Sequence, residues 1–102
     1  MSGLAYKPTQ EEFEADYPID FGSGVRGNWY SQKEIQHAGL LIAHLHADGE
    51  LCVGSVGVRV PKLREAEQWR LVSEDPLTLE PSISSSTCEL HGWIRRGKWV
   101  NA

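Results

Sequence analysis

Hydrophobic and polar residues alternate with a period of two along much of this chain, which is the pattern of half-buried strands. Leu40-Leu41-Ile42-Ala43-His44-Leu45-His46 reads as a strand with one strongly buried face. Asp48-Gly49 is a hairpin turn signal, and Leu51–Val60 is the return strand. Its apolar positions change parity around Gly54-Ser55, which predicts a β-bulge there. Trp69-Arg70-Leu71-Val72 starts a third strand. Residues 77–84 form a fourth, with Leu77, Leu79 and Ile83 inward. Pro81 removes one ladder donor and places that strand at an edge or a bulge. Residues 89–95 and 98–101 form a closing hairpin around Arg96-Gly97.

Helical signals are confined to the first third. Thr9-x-x-Glu12 has capping-box spacing and opens a short helix over 9–16, ended by Pro18. Ser31-x-x-Glu34 repeats the spacing before a second candidate, 31–37. Residues 1–8 read as a flexible tail and residues 22–28 as a glycine-rich loop. The predicted fold is mainly β (α+β). It has an antiparallel sheet of about five to six strands, short N-terminal helices and a closing C-terminal hairpin.

A length of 102 residues makes this one domain with one modest core. The net charge of −4 argues against an obligate nucleic-acid binder, whose affinity comes from neutralised phosphates. The charge is uneven: Glu11, Glu12, Glu14, Asp16 and Asp20 lie near the start, and Arg95, Arg96 and Lys98 near the end. No apolar run approaches the roughly 18 residues of a membrane span. No basic-then-apolar leader opens the chain. A cytoplasmic location is the expectation, and with it reduced thiols at Cys52 and Cys88. The 22–28 loop lacks the Gly-Lys-Ser/Thr ending that a phosphate-binding loop requires.

Two constellations carry chemistry. Cys88-x-x-His91 has a spacing that lets a thiolate and an imidazole converge on one metal ion. Cys52 and His46, across the Asp48-Gly49 turn, are the candidates for the remaining ligands, and His44 shares a strand face with His46. The expected metal is zinc, held by Cys88, His91, Cys52 and His46. The competing reading makes Cys52 a small core residue and His91 a backbone-bonded one. A Cys88–His91 nucleophile pair, or a nucleophile among Ser84–Ser86 close to His91, lacks an assignable third group, so no catalytic set is predicted. The second constellation is Trp93, Arg95, Arg96, Lys98 and Trp99. Aromatics interleaved with cations suit a protein interface, where Trp and Arg dominate. They suit stacked single-stranded bases less well in an acidic chain. An exposed edge strand leaves homodimer formation open.

The last third also resembles a known family. Trp69, Pro76-Leu77-Thr78-Leu79-Glu80-Pro81-Ser82-Ile83 and Cys88-Glu89-Leu90-His91-Gly92-Trp93-Ile94-Arg95-Arg96-Gly97-Lys98-Trp99 follow the pattern of an uncharacterised family of small domains in bacteria and their phages. Relatives of that pattern carry further cysteines in Cys-Pro-x-Cys-like form, which implies zinc. Here Ala43-His44-Leu45-His46 stands in the corresponding region, so either histidines replace those cysteines or the site is lost. The phage setting implies a small protein that acts by binding a protein partner, a host protein in particular, as an inhibitor or superinfection-type factor. A zinc-dependent enzyme or zinc-stabilised domain is the alternative.

Overall fold

The computed structural model describes residues 6–84 and 90–102. The chain is mainly β with antiparallel pairing throughout, as the alternation predicts. Among the described residues, however, the strands divide into three sheets rather than one.

Helix α1 (Gln10–Asp16) forms where the capping box places it. Glu12 N donates to Thr9 Oγ1 at 3.1 Å, and Thr9 N donates to Glu12 Oε1 at 2.8 Å. Phe13 is buried and docks the helix, with Tyr17 against it at 5.8 Å between ring centroids. Thr9→Ala removes one of these two bonds and is expected to cost about 1 kcal/mol. That lowers Tm by roughly 4–8 °C for a chain of this size. An unchanged melting curve would show that α1 frays independently of the body.

The largest sheet has the order β1 (Ile19–Asp20), β2 (Arg26–Gln32), β3 (Ile35–Leu45), β4 (Leu51–Gly57). Four expectations change here. The 31–37 helix is absent: Lys33 adopts φ 55° and turns β2 directly into β3. Pairing of β2 with β3 outweighs a capping signal that only one short turn could use. The glycine-rich loop shrinks to the Gly22–Gly24 turn, because Val25 is buried and β2 begins at Arg26. The β3–β4 register runs unbroken from Gly39↔Gly57 to Leu45↔Leu51, so no bulge sits at Gly54-Ser55; it lies between Tyr30 and Gln32 instead. The tail is partly anchored: Tyr6 O accepts from Leu51 N at 2.8 Å, and Pro8 is buried.

Beyond a single 3-10 turn at Glu65–Glu67, β5 (Arg70–Glu74) pairs with β6 (Leu77–Glu80). Pro81 then splits the predicted fourth strand. Residues up to Glu80 stay with β5, and β7 (Ile83–Ser84) joins a different sheet, of order β7, β8 (His91–Arg95), β9 (Lys98–Asn101). Arg96 and Gly97 both have positive φ, 52° and 75°, as the tight turn between β8 and β9 requires. Gly97 N donates to Leu77 O at 2.7 Å and Trp99 N to Phe21 O at 2.8 Å, so the closing hairpin is bonded to both neighbouring units. All three sheets share one core: Leu40, Ile42 and Val56 from the first, Leu77 and Leu79 from the second, Ile83, Ile94 and Trp99 from the third.

Candidate functional site

The closing sheet has two unlike faces. Ile83, Ile94 and Trp99 point into the core. Ser84, His91, Trp93 and Arg95 occupy the opposite face. Ser84 and His91 are partners across β7 and β8. Ala102 N donates to His91 O at 3.0 Å, so the backbone groups of His91 turn toward β9. Ser84 and His91 therefore oppose each other as a non-hydrogen-bonded pair, the kind in which Cα atoms approach to about 4.5 Å and side chains lie closest. Both residues are exposed. Further along, the His91 and Trp93 rings lie 6.3 Å apart, and the Arg95 guanidinium sits 4.7 Å above the Trp93 ring. Val100, opposite Trp93, is exposed beside it. The result is a hydroxyl and an imidazole at one end of a ribbon whose other end is aromatic and cationic.

Among the residues expected to contact a partner, Trp93, Arg95, Arg96 and Lys98 lie on the outside of this hairpin. Trp99 does not: it faces the core, with its indole N–H donated to Asn101 Oδ1 at 2.8 Å. Strand alternation separates the two tryptophans, because Trp93 pairs with Val100 and Trp99 with Ile94.

A second cluster lies at the far end of the large sheet. Its core face runs Leu40, Ile42 and ends in His44 and His46. His44 is the register partner of Cys52. The ligand atoms of His44, His46 and Cys52 lie within 4.8 Å of one another, and this group can hold a metal ion. The imidazoles meet edge-on at 5.0 Å. Burial, and then the neighbouring His46, holds His44 below the ordinary imidazole pKa, which favours the neutral ring that ligates metals. Of the ligands expected from sequence, Cys52 and His46 are in the cluster, and His44 joins them. His91 is on the closing sheet, outside it. Cys88 lies outside the described residues. Contrary to the expectation of reduced thiols, Cys52 is disulfide-bonded.

A third arrangement had no sequence signal. His37 adopts φ 54°, stacks on Trp29 at 4.5 Å and 4°, and places Nδ1 3.4 Å from Glu74 Oε1. Arg59 reaches the same carboxylate at 3.7 Å. Ser31 is the one β2 residue opposite residues 36–38, the extra residues that β3 carries at the register shift, with His37 among them. No helix among the described residues is long and apolar enough to cross a membrane.

No curated protein and no solved structure matches the chain. Residues 27–102 match the family model described as bacterial ubiquitination-like system serine protease (BubE).

Proposed function

The chain belongs to the BubE family of bacterial ubiquitination-like system serine proteases, and we propose that it hydrolyses a peptide or isopeptide bond with Ser84 as nucleophile and His91 as general base. The observation that carries this assignment is the cross-strand pairing of Ser84 with His91. A serine hydroxyl is a weak nucleophile until a base within hydrogen-bond reach takes its proton. In the proposed cycle the His91 imidazole accepts the proton of Ser84 Oγ as that oxygen attacks the scissile carbonyl carbon. His91 then protonates the departing amine, and water releases the acyl group by the reverse relay. Both side chains rise from the same face, as a cross-strand pair.

The expected protein partner becomes, in this reading, the substrate. Trp93, Val100 and the Arg95, Arg96 and Lys98 cations continue along the outside of the hairpin beyond His91 and offer a contact surface to the substrate. Trp93→Ala is expected to raise KM by about tenfold, an interface residue's typical cost, while kcat changes little. A fall in kcat with KM constant would place Trp93 in the chemistry instead. For the metal cluster we propose zinc bound by His44, His46 and the Cys52 thiolate once its disulfide is reduced, with water in the fourth position. Ligand atoms of tetrahedral zinc stand roughly 3.3–3.8 Å apart, so closing the cluster by about 1 Å is enough.

One observation favours a second serine. His37 already has the orienting carboxylate, Glu74, that a catalytic histidine needs, and Ser31 lies across the β2–β3 register shift from it. Against it, Ser31 has no register partner, and the Trp29 ring covers a face of the His37 imidazole. Labelling with a fluorophosphonate, followed by peptide mapping, decides between them. Modification of Ser84, abolished by His91→Ala, supports the assignment. Modification of Ser31, abolished by His37→Ala, replaces it.

A further inference from the structure

We propose that Cys52 has two mutually exclusive states, a disulfide sulfur in the oxidised protein and a zinc-bound thiolate beside His44 and His46 in the reduced one. The inference rests on the zinc reading above and adds to it a regulation by thiol redox state.

Two facts about one sulfur atom carry it. Cys52 is disulfide-bonded, and its Sγ lies within 4.8 Å of a nitrogen from each of two histidines. A disulfide sulfur carries no charge and does not serve as a zinc ligand; a thiolate is among the best. The two imidazoles cannot hold zinc firmly by themselves; the thiolate raises the protein ligands from two to three, which with a water complete the tetrahedron. Reduction of Cys52 thus creates the site, and oxidation removes it. The placement fits. The register partner His44 is fixed opposite Cys52 by the hairpin, and His46 follows on the same strand face. Cys52 is only 8% exposed, so the sulfur needs no movement to the surface to change role.

The chemistry balances with an external dithiol. One thiolate of the dithiol attacks the protein disulfide, and its second thiol displaces the mixed disulfide. The dithiol leaves as its own disulfide, having given two electrons and two protons, and the protein holds two thiols. Zinc then binds the Cys52 sulfur and releases its proton to solvent. An oxidant such as hydrogen peroxide reverses the exchange: two thiols become a disulfide, peroxide becomes two waters, and the metal departs.

The test uses the full chain, prepared metal-free in both redox states, which differ by about 2 Da in intact mass. Zinc is titrated into each by calorimetry. The reduced protein is expected to bind about one ion per chain, at least roughly a hundredfold tighter than the oxidised protein. With zinc bound, peroxide is expected to form the disulfide at least about tenfold more slowly than without it. Zinc release, read with a chromogenic chelator, is expected to follow the mass change. The His44→Ala/His46→Ala variant keeps both cysteines and is expected to lose the zinc protection while still forming the disulfide. Equal zinc affinity in both states overturns the exclusivity and leaves the zinc reading standing. Binding to the reduced protein without any slowing of oxidation also overturns it, since Cys52 is then not a ligand. Uptake by neither state defeats both.

Discussion

Ser84→Ala is expected to lower kcat by at least about a thousandfold and to abolish fluorophosphonate labelling, with no change in the folded structure. The size follows from the role. Without the hydroxyl no acyl intermediate forms, and only binding and electrostatic stabilisation of a direct water attack remain. Structural integrity follows from position: Ser84 is exposed, and β7 pairs through its backbone. His91→Ala is expected to cost a comparable factor. The double variant is expected to be no worse than either alone, because nucleophile and base act as one unit. Ser82 is the control. It is half-buried two residues earlier, and its backbone carbonyl accepts the Trp69 indole N–H at 3.2 Å. Ser82→Ala keeps that carbonyl and is expected to retain most of the activity. Full activity in Ser84→Ala would remove Ser84 from the mechanism.

The same pairing explains why the site was only half legible in the sequence. His91 stood out, but for its spacing to Cys88, which suggested a metal ligand. Ser84 was one of several serines near a turn, with nothing local to mark it. What selects it is the register between β7 and β8, a contact across a connection whose geometry period-two alternation does not encode. The metal cluster shows the limit more sharply. A two-residue turn at Asp48-Gly49 would set Leu45 opposite Cys52. The observed loop is longer by one residue: His46 N donates to Glu50 O at 2.9 Å, and Gly49 takes φ 89°. That single-residue slip places His44 opposite Cys52 and completes a cluster with no place for His91. Strong local signals came through intact: the Thr9/Glu12 cap and the Arg96-Gly97 turn both form as read, whereas the strand expected over 77–84 is split at Pro81. The Ser31/Glu34 cap did not, because β2 and β3 gain more by pairing than a single helical turn gains by capping.

Gly92→Ala is expected to destabilise the protein by about 3 kcal/mol, near the upper end for overpacking, and to weaken Ser84 labelling with it. A Cβ at this position would run into the Val100 carbonyl oxygen and come within 2.8 Å of Trp99 Cζ2. Neither neighbour has room to retreat. The first is backbone of the paired strand. The second is a buried ring held by its hydrogen bond to Asn101. Relief therefore requires β9 to shift relative to β8, and β8 carries His91. Gly54→Ala makes the comparison: it also lies inside a strand, but a Cβ there meets nothing within 4 Å. That change is expected to be neutral or to stabilise by about 0.5 kcal/mol, through the reduced freedom of the unfolded chain. Urea unfolding of the two variants checks both signs at once. Equal midpoints would mean that Trp99 repacks freely, and the close fit of Gly92 against it would then set neither the stability of the closing sheet nor the position of His91.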